Sequence, residues 1–153
     1  SCRFQTLEMR ITDVCSRIDD AVAIAALYQC IIRMLVRLRR GNQRWRAYDN
    51  MLIEENRWRA KRYGIDEGLI DFGKGEVVPC ADLLEELIDL TKEDAEALDC
   101  VDELLHSRHI LTTGTSAHRQ HAPFAAAMDA GRTRPDALCS VVDMLVDETV
   151  SGF

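Results

Sequence analysis

Between Phe4 and Thr12 the sequence alternates. Leu7, Met9 and Ile11 fall on one side of an extended chain, and Thr6, Glu8, Arg10 and Thr12 fall on the other. This pattern predicts a strand with one face in a core. Apart from a short hairpin further on, no other stretch reads as strand, and a lone strand is not stable without neighbours. The expectation is therefore a strand that completes a sheet whose other members lie outside these 153 residues. The first residue is Ser rather than Met, and the same expectation follows from it: the chain begins at a cut, with something missing upstream.

The rest reads as helix. Ser16, with Asp19 three residues on, resembles a weak capping box for a helix over about 17–39. That helix is apolar on almost every face through 21–32, so it should be largely buried. Arg37, Arg39 and Arg40 suit its C-terminus, and Gly41 can end it. Helix is expected again over 43–63, with a break near Asn50 and a stop at Gly64. Residues 69–78 read as a hairpin turning at Gly73-Lys74-Gly75. Amphipathic helices are predicted over about 80–90, 92–98 and 100–110. Residues 112–115 form a loop able to cap a helix from Ser116, Pro123 should kink or restart that helix, and Pro135 opens a final one over 136–150. The class is α+β and mostly helical, with one sheet strand, a hairpin and five or six helices.

Charge is polarised along this pattern. Residues 1–62 hold 13 Lys/Arg against 7 Asp/Glu, and residues 63–153 hold 6 against 19, within a net charge of −7. A basic half in an acidic protein points to a local anionic partner such as a nucleotide or carboxylate, and away from nucleic acid. No uninterrupted apolar run reaches membrane-spanning length, the longest being broken at Gln29, so no membrane partner is expected. Six cysteines at wide spacing, with no CxxC, read as thiols buried in a core and point to a reducing, cytoplasmic setting.

The chemistry-bearing pattern is Thr6-Leu7-Glu8-Met9-Arg10-Ile11-Thr12-Asp13. On a strand, Glu8 and Arg10 project from one face about 7 Å apart. A carboxylate can then hold a divalent cation while the guanidinium holds a phosphate oxygen of the same ligand. Spacing alone is met equally by an ion pair on a solvated face. A second cluster, Asn56, Arg57, Arg59 and Arg62, lies on a predicted helix, where Arg59 and Arg62 share a face and Arg57 lies elsewhere. It could meet phosphate or a substrate carboxylate, or serve packing with Trp58 in the core.

The first segment resembles the T-L-E-[FM]-R-[IV]-x-D stretch of the bacterial carboxylate–amine ligases, the second glutamate–cysteine ligase family. Two further segments are similar to signatures of that family in the same order: Glu55-Asn56-Arg57-Trp58-Arg59-Ala60-Lys61-Arg62-Tyr63-Gly64 and Gly114-Thr115-Ser116-Ala117-His118-Arg119-Gln120. The likeness extends to the ending over 141–149 and covers essentially the whole chain. Gln5 stands where the family often has Pro.

The resemblance implies the C-terminal portion, residues 1–153, of a single catalytic domain with a glutamine-synthetase-like fold. It implies Mg²⁺ at Glu8 and the transferring phosphate of ATP at Arg10, which is then a catalytic residue. Asn56, Arg57 and Arg62 become further nucleotide contacts. The implied reaction phosphorylates a carboxylate, usually the γ-carboxylate of glutamate, which an amine such as that of cysteine then attacks. The implied partners are amino-acid substrates, the N-terminal half of the domain and a further copy in a homo-oligomer. The fragment is expected to be inactive alone. The competing reading is a non-catalytic helical module that takes an anionic or nucleotide partner through the arginines of 33–62.

Three weaker patterns have simpler readings. His106-x-x-His109 and His118-x-x-His121 have a metal-like spacing without a completing ligand set. Arg44-Trp45-Arg46 and Arg57-Trp58-Arg59 interleave aromatics with charge, as nucleic-acid binders do, but read more simply as helix faces with Trp buried. Gly114-Thr115-Ser116 offers an anion-binding helix start or plain capping.

Overall fold

The computed structural model describes residues 3–4 and 6–151. Six helices and one hairpin follow in order: α1 Ile18–Arg40, α2 Asn50–Tyr63, β1 Leu69–Asp71, β2 Glu76–Val78, α3 Cys80–Leu98, α4 Val101–Thr113, α5 Ser116–Asp129 and α6 Arg134–Val150. Helices α1, α3 and α4 pack on one another, α5 pairs with α6, and α2 lies against β1. The core sits between α1, α3 and α4. Cys30, Ile88, Ala95 and Leu104 are buried there, with Leu27, Leu84 and Leu105 around them.

The strand expected over 4–12 is not formed. Residues 6–14 are irregular, and Leu7, Ile11 and Val14 are exposed. The cause is the one the alternation foreshadows: among the described residues, the only sheet is the two-stranded hairpin, so no free edge takes up the backbone N–H and C=O groups of this segment. The hairpin is antiparallel, with Leu69 opposite Val78 and Asp71 opposite Glu76, and it turns where expected. Asp71 Oδ1 accepts from the N–H of Gly73 and of Lys74, which closes the turn.

Several boundaries shift for local reasons. Ser16 does not cap α1; Arg17 holds that position without a side-chain bond, while Asp19 and Asp20 face the positive end of the helix. Residues 43–49 are not helical, because α1 ends at Gly41 and Asn42 has φ +56°. Asp49 then starts α2 by accepting from the N–H of Met51 at 2.8 Å. The two helices predicted over 80–98 are one. Thr91 does not interrupt it, since its hydroxyl donates to the carbonyl of Leu87 at 2.7 Å, and the helix stops at Asp99, which adopts φ +54°. Helix α5 continues through Pro123. Both tryptophans expected in the core are half exposed.

By length and composition alone α1 is long and apolar enough to cross a bilayer, a test that a packed core helix also passes. In the structure this helix packs against α3 and α4, burying Ala23, Ala26, Cys30 and Met34. The five cysteines described are free thiols. Only Cys30 is fully buried and Cys139 is exposed; Cys2 lies outside the described residues. Cys30 Sγ lies 3.7 Å from Cys100 Sγ. Burial, helped by its hydrogen bond with Cys100, pushes the Cys30 thiol up to about 12, so it is not a thiolate at neutral pH.

The bundle also buries a charge. Asp94 of α3 is wholly inaccessible and receives Arg33 at 2.7 Å and Arg37 at 2.8 Å, both from α1. Burial alone would raise its carboxyl, but hydrogen bonds and charge from Arg37 and Arg33 outweigh that and hold it below the ordinary carboxylate range. A carboxyl lowered on folding stabilises the native state above its unfolded pKa and ceases to do so as pH falls through its folded one. Asp94→Asn is expected to cost about 2 kcal/mol in urea unfolding at pH 7, less than for a fully enclosed pair because both guanidinium groups reach solvent. The deficit relative to the parent should narrow as pH falls below the ordinary carboxylate range and through the lowered pKa of the folded state.

Candidate active site

Glu8 and Arg10 lie on the irregular segment as a mutual ion pair at 2.8 Å, with side chains 56% and 80% exposed. Exposed pairs of this kind are weak, so either partner can exchange the other for a ligand at little cost. Asp13 turns its carboxylate onto the N–H of Val14 at 2.8 Å. The carboxylate–guanidinium pair therefore stands open to solvent at the end of a tether.

What holds the tether is a polar network at its base. Ser16 donates its hydroxyl to Glu148 of α6 and lies 3.4 Å from the hydroxyl of Ser116. Glu148 also receives Arg119 Nε at 2.6 Å. The same guanidinium donates to Asp20 at 3.2 Å and to the carbonyl of Gly114 at 2.7 Å. Asp20 is buried and is met on its other oxygen by His106 Nε2 at 3.0 Å. One arginine thus joins the start of α1, the 114–115 loop and α6, and through Asp20 it reaches α4.

Gly114 allows this approach. Its φ is +86°, and a Cβ there would lie 2.8 Å from the Cβ of His118. Thr115 and His118 form a capping box at the start of α5. His118 Nδ1 accepts from the N–H of Thr115 at 3.2 Å, so the neutral ring carries its proton on Nε2, 3.1 Å from Asp66. Of the two readings of this loop, capping is the one formed. Among the described residues no three His, Cys, Asp or Glu side chains converge as a metal site, and His106 and His118 face the carboxylates just named.

The second cluster mostly serves α2 and the hairpin. Asn56 donates to the carbonyl of Ile70 at 2.9 Å and accepts from its N–H at 2.8 Å. Arg59 donates to the carbonyls of Glu67 and Gly68. Gly68 must lack a side chain, since a Cβ would sit 2.2 Å from the carbonyl oxygen of Val78. Arg57 pairs with Glu54 at 2.8 Å, and Arg62 lies 5.8 Å from the ring of Tyr63. Among the described residues, no hydrogen bond or ion pair joins them to Glu8 or Arg10. Arg33 and Arg37, expected in an anion-binding cluster, are instead held by Asp94.

Sequence reasoning missed Asp20 and Glu148, and gave Ser16 a capping role in place of its bond to Glu148. An acidic residue on the inward face of an otherwise apolar helix was the available signal, but its partner lies 99 residues away. Arg119→Ala should remove the one cation shared by two carboxylates, leaving Asp20 to His106 and Glu148 to Ser16, and cost about 3 kcal/mol in urea unfolding. Limited proteolysis at Arg10 and Arg17 should quicken, and Arg119→Lys should restore part of both losses.

The chain matches the description of glutamate–cysteine ligase family 2 over residues 2–136. Three relatives bear the name "Putative glutamate–cysteine ligase 2". That of Rhodospirillum rubrum is 60% identical over 151 residues, which is 99% of this chain and 39% of the relative. Those of Jannaschia sp. and Paracoccus denitrificans are 52% and 49% identical over 148 residues, or 97% of this chain and 39% of each relative. The chain thus spans about two fifths of the length of the relatives it matches. No solved structure matches it. A match running through the Glu8–Arg10 segment, the α2 cluster and Arg119 makes this chain a member of glutamate–cysteine ligase family 2.

Proposed function

We propose that the chain is the C-terminal portion of a carboxylate–amine ligase domain with a glutamine-synthetase-like fold. In this reading the whole domain acts in a reducing cytoplasm. It uses ATP to phosphorylate a carboxylate, the γ-carboxylate of glutamate, and passes the acyl phosphate to the amine of cysteine. The observation that carries the reading is the exposed Glu8–Arg10 pair on a segment tied at its base to a buried network.

The donor set fits the cation the reaction calls for. Mg²⁺ takes one or two carboxylates and completes its shell with water and phosphate oxygens, so Glu8 can be one ligand without a full protein cage. When bound, Mg²⁺ neutralises polyphosphate charge. Arg10 supplies what a point charge cannot: a planar fork of N–H donors that meets phosphoryl oxygens as their charge shifts during transfer. Asp13 and Ser16 fix where the segment turns into the helical body. Arg57 and Arg62 are further phosphate contacts in this reading, and Asn56 supports them by holding α2 to β1.

The unformed strand supports the same reading. Leu7 and Ile11 form the apolar half of the alternation and are exposed here, as expected of a strand that pairs with residues the chain does not supply. The chain alone should therefore release no ADP. The test is the Rhodospirillum rubrum relative carrying this chain in place of its own matched segment. With Mg-ATP, glutamate and cysteine it should release ADP only when both amino acids are present, and Glu8→Gln or Arg10→Gln should lower that rate about 100-fold or more. Full activity in Glu8→Gln would remove the metal role and with it this reading.

A further inference from the structure

Residues 21–48 contain six arginines and no acidic residue. Asp94 holds Arg33 and Arg37. Arg39, Arg40, Arg44 and Arg46 form no ion pair among the described residues. In a chain with a net charge of −7 this is a concentrated, unneutralised positive patch. Two of these arginines, Arg44 and Arg46, line a cavity of about 540 Å³ together with Leu38, Gln43, Trp45 and Tyr48.

The cavity is built rather than frayed. The N–H of Gln43 returns to the carbonyl of Leu38 at 2.8 Å, which fixes one end of the loop. Asp49 caps α2 at the other end. Tyr48 rests against Phe72 of the hairpin with ring centroids 4.8 Å apart. Trp45 remains 44% exposed, so an indole lies open beside two guanidinium groups that lack carboxylates.

Each part narrows the ligand. An open indole in a cavity of this size takes a planar ring by stacking. Arginines without acidic partners take phosphate oxygens. A metal is disfavoured because no carboxylate lines the cavity. An amino acid would leave the ring unused. A nucleic-acid strand would have to follow a continuous basic groove, whereas residues 63–153 are strongly acidic. We infer that this cavity binds a nucleoside di- or triphosphate, its base stacked on Trp45 and its phosphates held by Arg44 and Arg46. The inference deepens the ligase reading, on which its link to catalysis rests, by giving the nucleotide's ring a place that Glu8 and Arg10 do not.

Binding is tested on the chain with ADP alone, without metal or amino acids. In a Trp58→Phe background Trp45 is the sole indole, and ADP should quench its fluorescence to saturation. By calorimetry, Trp45→Leu should weaken ADP binding about tenfold or more, as should Arg44→Gln with Arg46→Gln, while the circular dichroism spectrum stays that of the parent. Inorganic phosphate at the same concentrations should not displace ADP. The inference is overturned if ADP does not bind, if these variants bind it as the parent does, or if phosphate displaces it equally well. It is also overturned if a single-stranded RNA oligonucleotide occupies the site in preference to ADP. No turnover is involved, so these outcomes leave the ligase reading untouched, and an active Glu8→Gln chimera would leave this one untouched.

Discussion

The guanidinium of Arg119 is the junction on which the arrangement depends. It satisfies Asp20 at the start of α1, Glu148 on α6 and the carbonyl of Gly114, three elements far apart in sequence. Without it the α5–α6 pair would meet the three-helix bundle chiefly through few and weaker contacts. Burying two carboxylates is costly unless each is paired and hydrogen-bonded. Here each has a second partner, His106 for Asp20 and Ser16 for Glu148. Among the described residues no buried side-chain nitrogen or oxygen is left without a partner.

The same junction explains why the Glu8–Arg10 segment is placed without being structured. Its downstream end is tied at Ser16, whereas its upstream run pairs with no strand among the described residues. Backbone groups that lack a partner edge stay with water, and the apolar side of the alternation stays exposed. Chemistry on an irregular tether is imprecise. A working ligase on this plan needs the sheet that the alternation calls for.

Arginine use divides the basic half of the chain into two populations. Arg33, Arg37 and Arg59 are engaged by Asp94 or main-chain carbonyls and serve architecture. Arg39, Arg40, Arg44 and Arg46 form no ion pair among the described residues, and Arg44 and Arg46 line a cavity with an open tryptophan. Charge counting along the sequence cannot separate these groups, because the separation depends on which acids fold toward which helix face.

Local physics makes much of this protein legible in its sequence. The apolar run of α1, its arginine-rich end and Gly41, the Gly73-Lys74-Gly75 turn and Pro135 opening α6 all follow from interactions a few residues long. The family, too, is readable from three ordered segments. What only the tertiary structure decided are the long-range pairings. Asp94 draws two arginines into α3, Thr91 keeps that helix whole, Ser16 turns to Glu148 rather than capping α1, and both tryptophans stay near the surface. Each is a choice between a local partner and a distant one of similar strength. Such choices are settled by burial, which sequence spacing does not encode.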